Sequence, residues 1–247
     1  ARMKRLFLFL LSVAGIGALA ALAAVFYTIH VFSQDLPDYQ KLAKYEPPIS
    51  TRVHAADGQL IEEFAIEKRV FVPIEAIPKQ VIEAFLAAED RNFYHHPGVD
   101  FQGIIRAVLT NLQNMGHNRR PVGASTITQQ VAKNFLLGNE VSYKRKIREA
   151  IIAFRIEKTF SKQQILELYL NEIYLGKGRY GVAAAALGYF NKSLDELTIP
   201  ELAYLAALPK APNNYQVESN LIGATERRNW ILNSLEDEGW ITEEQEE

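Results

Sequence analysis

Ser161-Lys-Gln-Gln164-Ile165-Leu-Glu-Leu-Tyr169-Leu-Asn-Glu-Ile173-Tyr-Leu-Gly176 is the stretch that decides the fold class. Ser161 followed three residues later by Gln164 makes a capping box, in which each side chain satisfies the other's backbone N–H. Ile165, Tyr169 and Ile173 then recur at helical spacing, and Gly176 supplies a stop. The same device returns downstream, where Thr198 and Glu201 bracket Pro200 and Pro209 closes the segment. Upstream, Pro78 suits the first turn of a helix running to about Asp90. From Pro73 onward nearly everything reads as helix. Before it, Arg52 to Ile66 alternates around Asp57-Gly58, a hairpin turn signal. The expectation is a mainly α domain with a short N-terminal β-hairpin.

The first segment has a different chemistry. Leu6 to Phe32 contains no Asp, Glu, Lys or Arg, and it exceeds the ~20 apolar residues a bilayer crossing needs. A cleaved signal peptide is the alternative, with Ala21-Leu22-Ala23 as its cleavage site, but the apolar core of such peptides is only ~7–15 residues. Arg2, Lys4 and Arg5 precede the run, so the positive-inside rule keeps the N-terminus cytoplasmic and exports the remainder. The reading is a cytoplasmic basic terminus (1–5), a transmembrane helix (6–32), a linker (33–50) and a catalytic domain (51–247).

Composition excludes several classes. With 48% hydrophobic and 23% charged residues the chain is globular. A formal net charge of −2 offers no bulk field for nucleic acid, so any anion must be met by a local cluster. The chain has 0 cysteines, which rules out disulfides and thiolate metal sites.

Three places break the local rules. Glu89 and Asp90 put two carboxylates at a helix C-terminus, where the dipole disfavours negative charge and raises a carboxylate pKa toward the range of a general base. His95-His96-Pro97-Gly98 follows as a bend. The two histidines invite a metal site with Glu89, but the spacing matches no standard ligand pattern, and a structural role is preferred. Second, Gly123-Ala-Ser125-Thr126-Ile127-Thr128-Gln129-Gln130-Val-Ala-Lys133-Asn134 offers Ser125 as a helix N-cap. Free backbone N–H groups would then combine with Gln130 and Lys133, three apart on one face, as a phosphate cradle. An ordinary capped helix is the alternative, and the polar stretch Asn114 to Pro121 before it reads as a loop. Third, Lys144-Arg145-Lys146-Ile147-Arg148-Glu149 sets four cations around a carboxylate, with Arg145 and Glu149 four apart.

Taken together these segments resemble the peptidoglycan glycosyltransferase family, which comprises the N-terminal domains of class A penicillin-binding proteins and stand-alone monofunctional enzymes. Five motifs match in order. They are Glu89-Asp90-x-x-Phe93-x-x-His96-x-Gly98, Gly123-x-Ser125-Thr126-Ile127-Thr128-Gln129-Gln130, Arg145-Lys146-x-x-Glu149, Ile165-Leu166-Glu167-x-Tyr169-Leu170-Asn171, and Gly181 to Lys192 with Tyr189-Phe190. The resemblance implies a lysozyme-like helical fold whose lobe around Gly103 to Pro121 meets the lipid bilayer. It implies lipid II and the growing glycan strand as substrates, moenomycin as an inhibitor, and other cell-wall synthesis proteins as partners.

Glu89 resembles the family's general base and Glu149 its second acid. Asp90, Ser125, Gln130, Lys133, Asn134 and Arg145 match its substrate-binding positions. No cofactor follows with certainty: Glu149 either orients the cations or binds a divalent ion, Mg or Mn, and the residues alone do not choose. The hairpin looks like that of class A members. The chain ends without a Ser-x-x-Lys nucleophile motif, which reads as truncation before a transpeptidase domain. Two rivals stand beside synthesis. One is a glycan-cleaving enzyme of lysozyme-like fold, which needs no pyrophosphate cradle; the other is a membrane-tethered scaffold without turnover.

Overall fold

A computed structural model describes residues 2–45, 51–54, 60–64, 68–115, 123–138, 140 and 142–242. α1 (Arg2–Phe32) is one uninterrupted helix, exposed along its length, and long and apolar enough to cross a membrane. Of the segment read as a linker, Ser33 to Ser50, residues 46–50 lie outside the described residues, and the part before them packs on the domain. Asp38 caps a 3-10 turn over Tyr39–Lys44 by accepting from the Gln40 N–H, and Leu42 is buried in the core of the domain. The apolar contact, invisible to a composition scan, fixes this segment.

β1 (Thr51–His54) and β2 (Leu60–Phe64) pair antiparallel, as the hairpin pattern predicts, with a register shift between Val53 and His54. Its expected turn at Asp57-Gly58 lies outside the described residues, as does most of the stretch Asn114 to Pro121. A second, two-residue pairing joins β3 (Lys68–Arg69) to β4 (Arg179–Tyr180) in parallel.

The domain itself is helical, in agreement with the mainly α expectation. α2 (Lys79–Glu89) runs through its centre and packs against α8 (Ile199–Ala207) and α9 (Val217–Asp237). Val81, Ala84 and Phe85 on α2 are fully buried, as are Ala203, Leu205, Ala206 and Ala207 on α8. Small residues on both helices let the two backbones approach closely. α4 (Ile127–Ala132) packs against α5 (Tyr143–Thr159) and α6 (Lys162–Glu172). Both sequence-predicted capping boxes form, at Ser161/Gln164 and Thr198/Glu201.

The polar residues of the α6 motif have a structural use. Asn171 Oδ1 accepts from Val72 N–H at 2.8 Å while its amide donates to Val72 O at 2.8 Å, and Glu167 accepts from Ile74 N–H at 2.8 Å. Glu172 pairs with Arg69 and accepts from the Tyr45 hydroxyl at 2.5 Å. One face of α6 thereby holds the chain from Arg69 to Ile74, just before α2, together with Tyr45. Gly181, at φ 81°, starts α7 (Val182–Phe190), and a Cβ there would meet Asn171 O at 2.6 Å. Only glycine fits that approach.

Between α2 and α4 lies α3 (Phe101–Gln113), capped by Asp100, whose side chain accepts from Gly103 N–H at 2.9 Å. It buries only Ala107 and leaves Phe101, Ile105, Val108, Leu109 and Leu112 more than half exposed. A contiguous apolar helix face in the open marks a surface built for a lipid or protein partner.

Candidate active site

Glu89 is the last residue of α2, and the cleft forms around it. One cavity, of about 310 Å³, extends past Asn92, Asp100 and Arg106 under α3; a larger one, of about 700 Å³, runs past Gln130, Lys210, Tyr215 and Arg227. Glu89, Ser125 and Trp230 line both. Glu89 Oε2 accepts from Gln130 Nε2 at 2.8 Å, and Oε1 lies 3.8 Å from Arg227 Nη2. The side chain is 13% exposed, and burial holds its pKa above the ordinary carboxylate value against the opposing pull of Gln130, Arg227 and Lys210. Desolvation, rather than the helix dipole invoked from sequence, is the main cause.

Asp90 has different partners. Its carboxylate accepts from His96 Nε2 at 2.9 and 3.0 Å and from Ile127 N–H at 2.9 Å. His96 Nδ1 in turn accepts from Gly98 N–H at 3.0 Å, so the ring proton sits on Nε2 and faces Asp90. Asp90 is therefore a buried clamp joining the end of α2, the His96 bend and the start of α4, at the wall of the smaller cavity. Gly98 itself, at φ 106°, crosses so near α5 that a Cβ would meet Ala153 O at 2.7 Å. Replacing Asp90 with alanine orphans two buried donors, each costing ~1–3 kcal/mol. Asp90→Ala is expected to lose roughly 2–5 kcal/mol in chemical denaturation; a change within about 0.5 kcal/mol would show the clamp to be dispensable.

The cradle differs from the expected one. The N-cap of α4 is Thr126, in a capping box with Gln129, while Thr126 Oγ1 also donates to Gly98 O at 2.6 Å. Ile127 N–H goes to Asp90 and Gln129 N–H to Thr126, so the helix start spends its donors inside the protein. The positive charge here comes from side chains rather than from the helix start. Ser125, released from capping, accepts from Lys146 Nζ at 2.6 Å. Lys146 also binds Glu149 Oε2 at 2.9 Å, and Arg145 pairs with Glu149 Oε1. Lys133 opens a π-helical turn, Lys133–Leu137, that also carries the exposed Asn134. The Lys133 and Lys146 amines are pushed below the ordinary lysine value by burial and by Arg145.

Glu149 is 2% exposed with a cation on each oxygen. Such a carboxylate is already neutralised and fits an orienting role, whereas a divalent ion would have to displace both cations. Among the described residues no three His, Asp or Glu side chains converge on one point.

Sequence reading passed over Lys210, Tyr215, Arg227 and Trp230, all lining the larger cavity. The one local signal was Arg227 and Trp230 at i and i+3 on a single helix face.

The transglycosylase family model matches residues 57–236. Penicillin-binding protein 1A of Rickettsia felis is 56% identical over 218 residues, covering 88% of this chain and 28% of that protein. Penicillin-binding protein 1A of Escherichia coli is 46% identical over 210 residues, covering 85% of this chain and 24% of that protein. The crystal structure of penicillin-binding protein 1A from Haemophilus influenzae aligns with a TM-score of 0.46 at 31% identity, over 82% of this chain and 20% of that one. The chain thus spans about a quarter of the length of the curated relatives it matches. On the family match and these identities, the chain belongs to the transglycosylase family, the peptidoglycan glycosyltransferases that its five motifs resemble.

Proposed function

We propose that this chain polymerises peptidoglycan strands from the lipid-linked disaccharide lipid II. The observation that carries this reading is a mostly buried carboxylate at the cleft, Glu89, linked through Gln130 and α4 to a separate cluster of cations organised by Glu149. Joining sugars by displacing a pyrophosphate needs a base on the acceptor hydroxyl and positive charge on the leaving group. Glu89 removes the proton from the 4-hydroxyl of the lipid II N-acetylglucosamine. That oxygen attacks the anomeric carbon of the growing chain's N-acetylmuramic acid. The bond to undecaprenyl pyrophosphate breaks with its electron pair leaving on the phosphate oxygen, and inversion gives a β-1,4 link. Lys133, Arg145 and Lys146 neutralise that oxygen's charge, which makes a strong general acid unnecessary. A cleaving enzyme would have no use for this cluster.

In this reading α1 anchors the chain in the bacterial inner membrane with the basic N-terminus cytoplasmic and the domain periplasmic. The open apolar face of α3 supports a lipid contact that keeps the carrier's headgroup near the cleft. Moenomycin, as a pyrophosphate-like inhibitor, occupies the cation side. Incubating the purified chain with lipid II tests the reading. Strand growth supports it. Shortening of preformed glycan means a hydrolase, and neither outcome leaves a scaffold.

A further inference from the structure

Arg227 lies on α9, outside all five motifs, yet it reaches the catalytic carboxylate. Its Nη2 donates to Ala88 O at 3.0 Å, in the last turn of α2, and stands 3.8 Å from Glu89 Oε1. The guanidinium lies over the Trp230 ring at 4.2 Å from its centroid, so its plane is set by stacking as well as by the hydrogen bond. Its side chain is 11% exposed. Arg91, just past α2, grips α9 from its own side through Ser234 Oγ at 2.6 Å and a 3.6 Å pairing with Glu238.

We infer that Arg227 is a positioning residue for the proposed reaction, holding the Glu89 carboxylate toward the cleft from α9 while Gln130 holds it from α4. The inference rests on the proposed function for its kinetic meaning only. The groups facing Glu89 are Gln130 from α4, Arg227 from α9, Lys210 from the turn after α8, Tyr169 from α6, and the adjoining Asp90. Burial pushes Glu89 toward its protonated form, which cannot take a proton from a hydroxyl. At 3.8 Å the guanidinium attracts the charge without forming a short ion pair. Contact at hydrogen-bond distance would stabilise the anion further and weaken it as a base. The separation favours the anion while leaving it basic.

Arg227→Gln removes the charge while keeping a polar side chain; Arg227→Lys restores the charge. The full chain in detergent would be assayed with lipid II across pH, beside a 13C NMR titration of selectively labelled glutamate with Glu89→Gln as the assignment control. In Arg227→Gln, kcat is expected to fall at least about tenfold, the scale of one charge-assisted contact, with KM little changed. The acid limb and the Glu89 midpoint should both move to higher pH, and Arg227→Lys should recover most of both. An acid limb and a Glu89 midpoint unchanged in Arg227→Gln would overturn the inference. A parent enzyme inert toward lipid II sinks the proposed reaction instead, and the NMR midpoint alone then supports or overturns the hold of Arg227 on Glu89.

Discussion

Glu89→Gln is expected to lower lipid II polymerisation by ~10²–10⁴, the range for a lost general base. Glutamine keeps the shape of the side chain and can still meet Gln130 and Arg227, so the fold around it should persist. The parent rate should rise with pH through a carboxylate pKa lying above the ordinary value, because burial disfavours the anion. That limb should vanish in the variant. Stability should move in the opposite sense. A carboxyl with a raised folded-state pKa contributes stability below its unfolded value and loses it as pH rises through the folded one. Above its folded-state pKa the ionised Glu89 is therefore a burden on the fold, and in that range Glu89→Gln should melt higher than the parent. The gain should shrink as pH falls below the ordinary carboxylate range. Near-parental polymerisation by Glu89→Gln would remove it as the base and make Glu149 the next candidate.

Lys133→Ala and Arg145→Ala should each weaken moenomycin binding by about ten- to a hundredfold, since a charge-assisted hydrogen bond contributes roughly 1.5–3 kcal/mol. Fluorescence anisotropy with a labelled inhibitor reads this directly. Glu149→Gln should also lose affinity, although it deletes no cation: Arg145 and Lys146 both rest on that carboxylate and would scatter without it. Glu89→Gln, by contrast, should leave inhibitor affinity largely intact. The depressed amines of Lys133 and Lys146 add an alkaline limb, because they shed protons earlier than ordinary lysines. Activity is squeezed from both sides, by a carboxyl that ionises late and amines that neutralise early. Unchanged inhibitor affinity in both cation variants would place the pyrophosphate elsewhere.

What sequence revealed follows the range of the interaction involved. The capping boxes at Ser161 and Thr198 close within three residues, so they are legible and both form. Ser125 and Thr126 are adjacent hydroxyls competing for one cap. The winner is decided by Gly98 O, which lies 28 residues away in the chain and takes the Thr126 hydroxyl. Asp90 was grouped with the substrate-binding residues by its match to the family motif; the hydrogen bonds that hold it, to His96 and to Ile127 N–H, come from 6 and 37 residues away and carry no local signal. Arg227 is 139 residues from the carbonyl it binds. No periodicity or local spacing can announce such a partner. The parallel β3–β4 pair and the buried Leu42 escaped for the same reason.

The docking of the segment after α1 has a mechanical consequence. α1 ends at Phe32, and Leu36 already packs against the domain core. Four residues reach at most about 14 Å when fully stretched. With α1 embedded as proposed, the domain rides on a leash of at most that length and would stay at the bilayer surface. In the proposed reaction the strand would then slide through a cleft that stays at the bilayer, and the spent carrier would leave within the leaflet. A stiff polymer lengthening against a body so tightly moored pushes back on it. The recoil is transmitted through the Tyr45–Glu172–Arg69 junction into α1. Enzyme and anchor would therefore drift together across the plane of the bilayer as one particle.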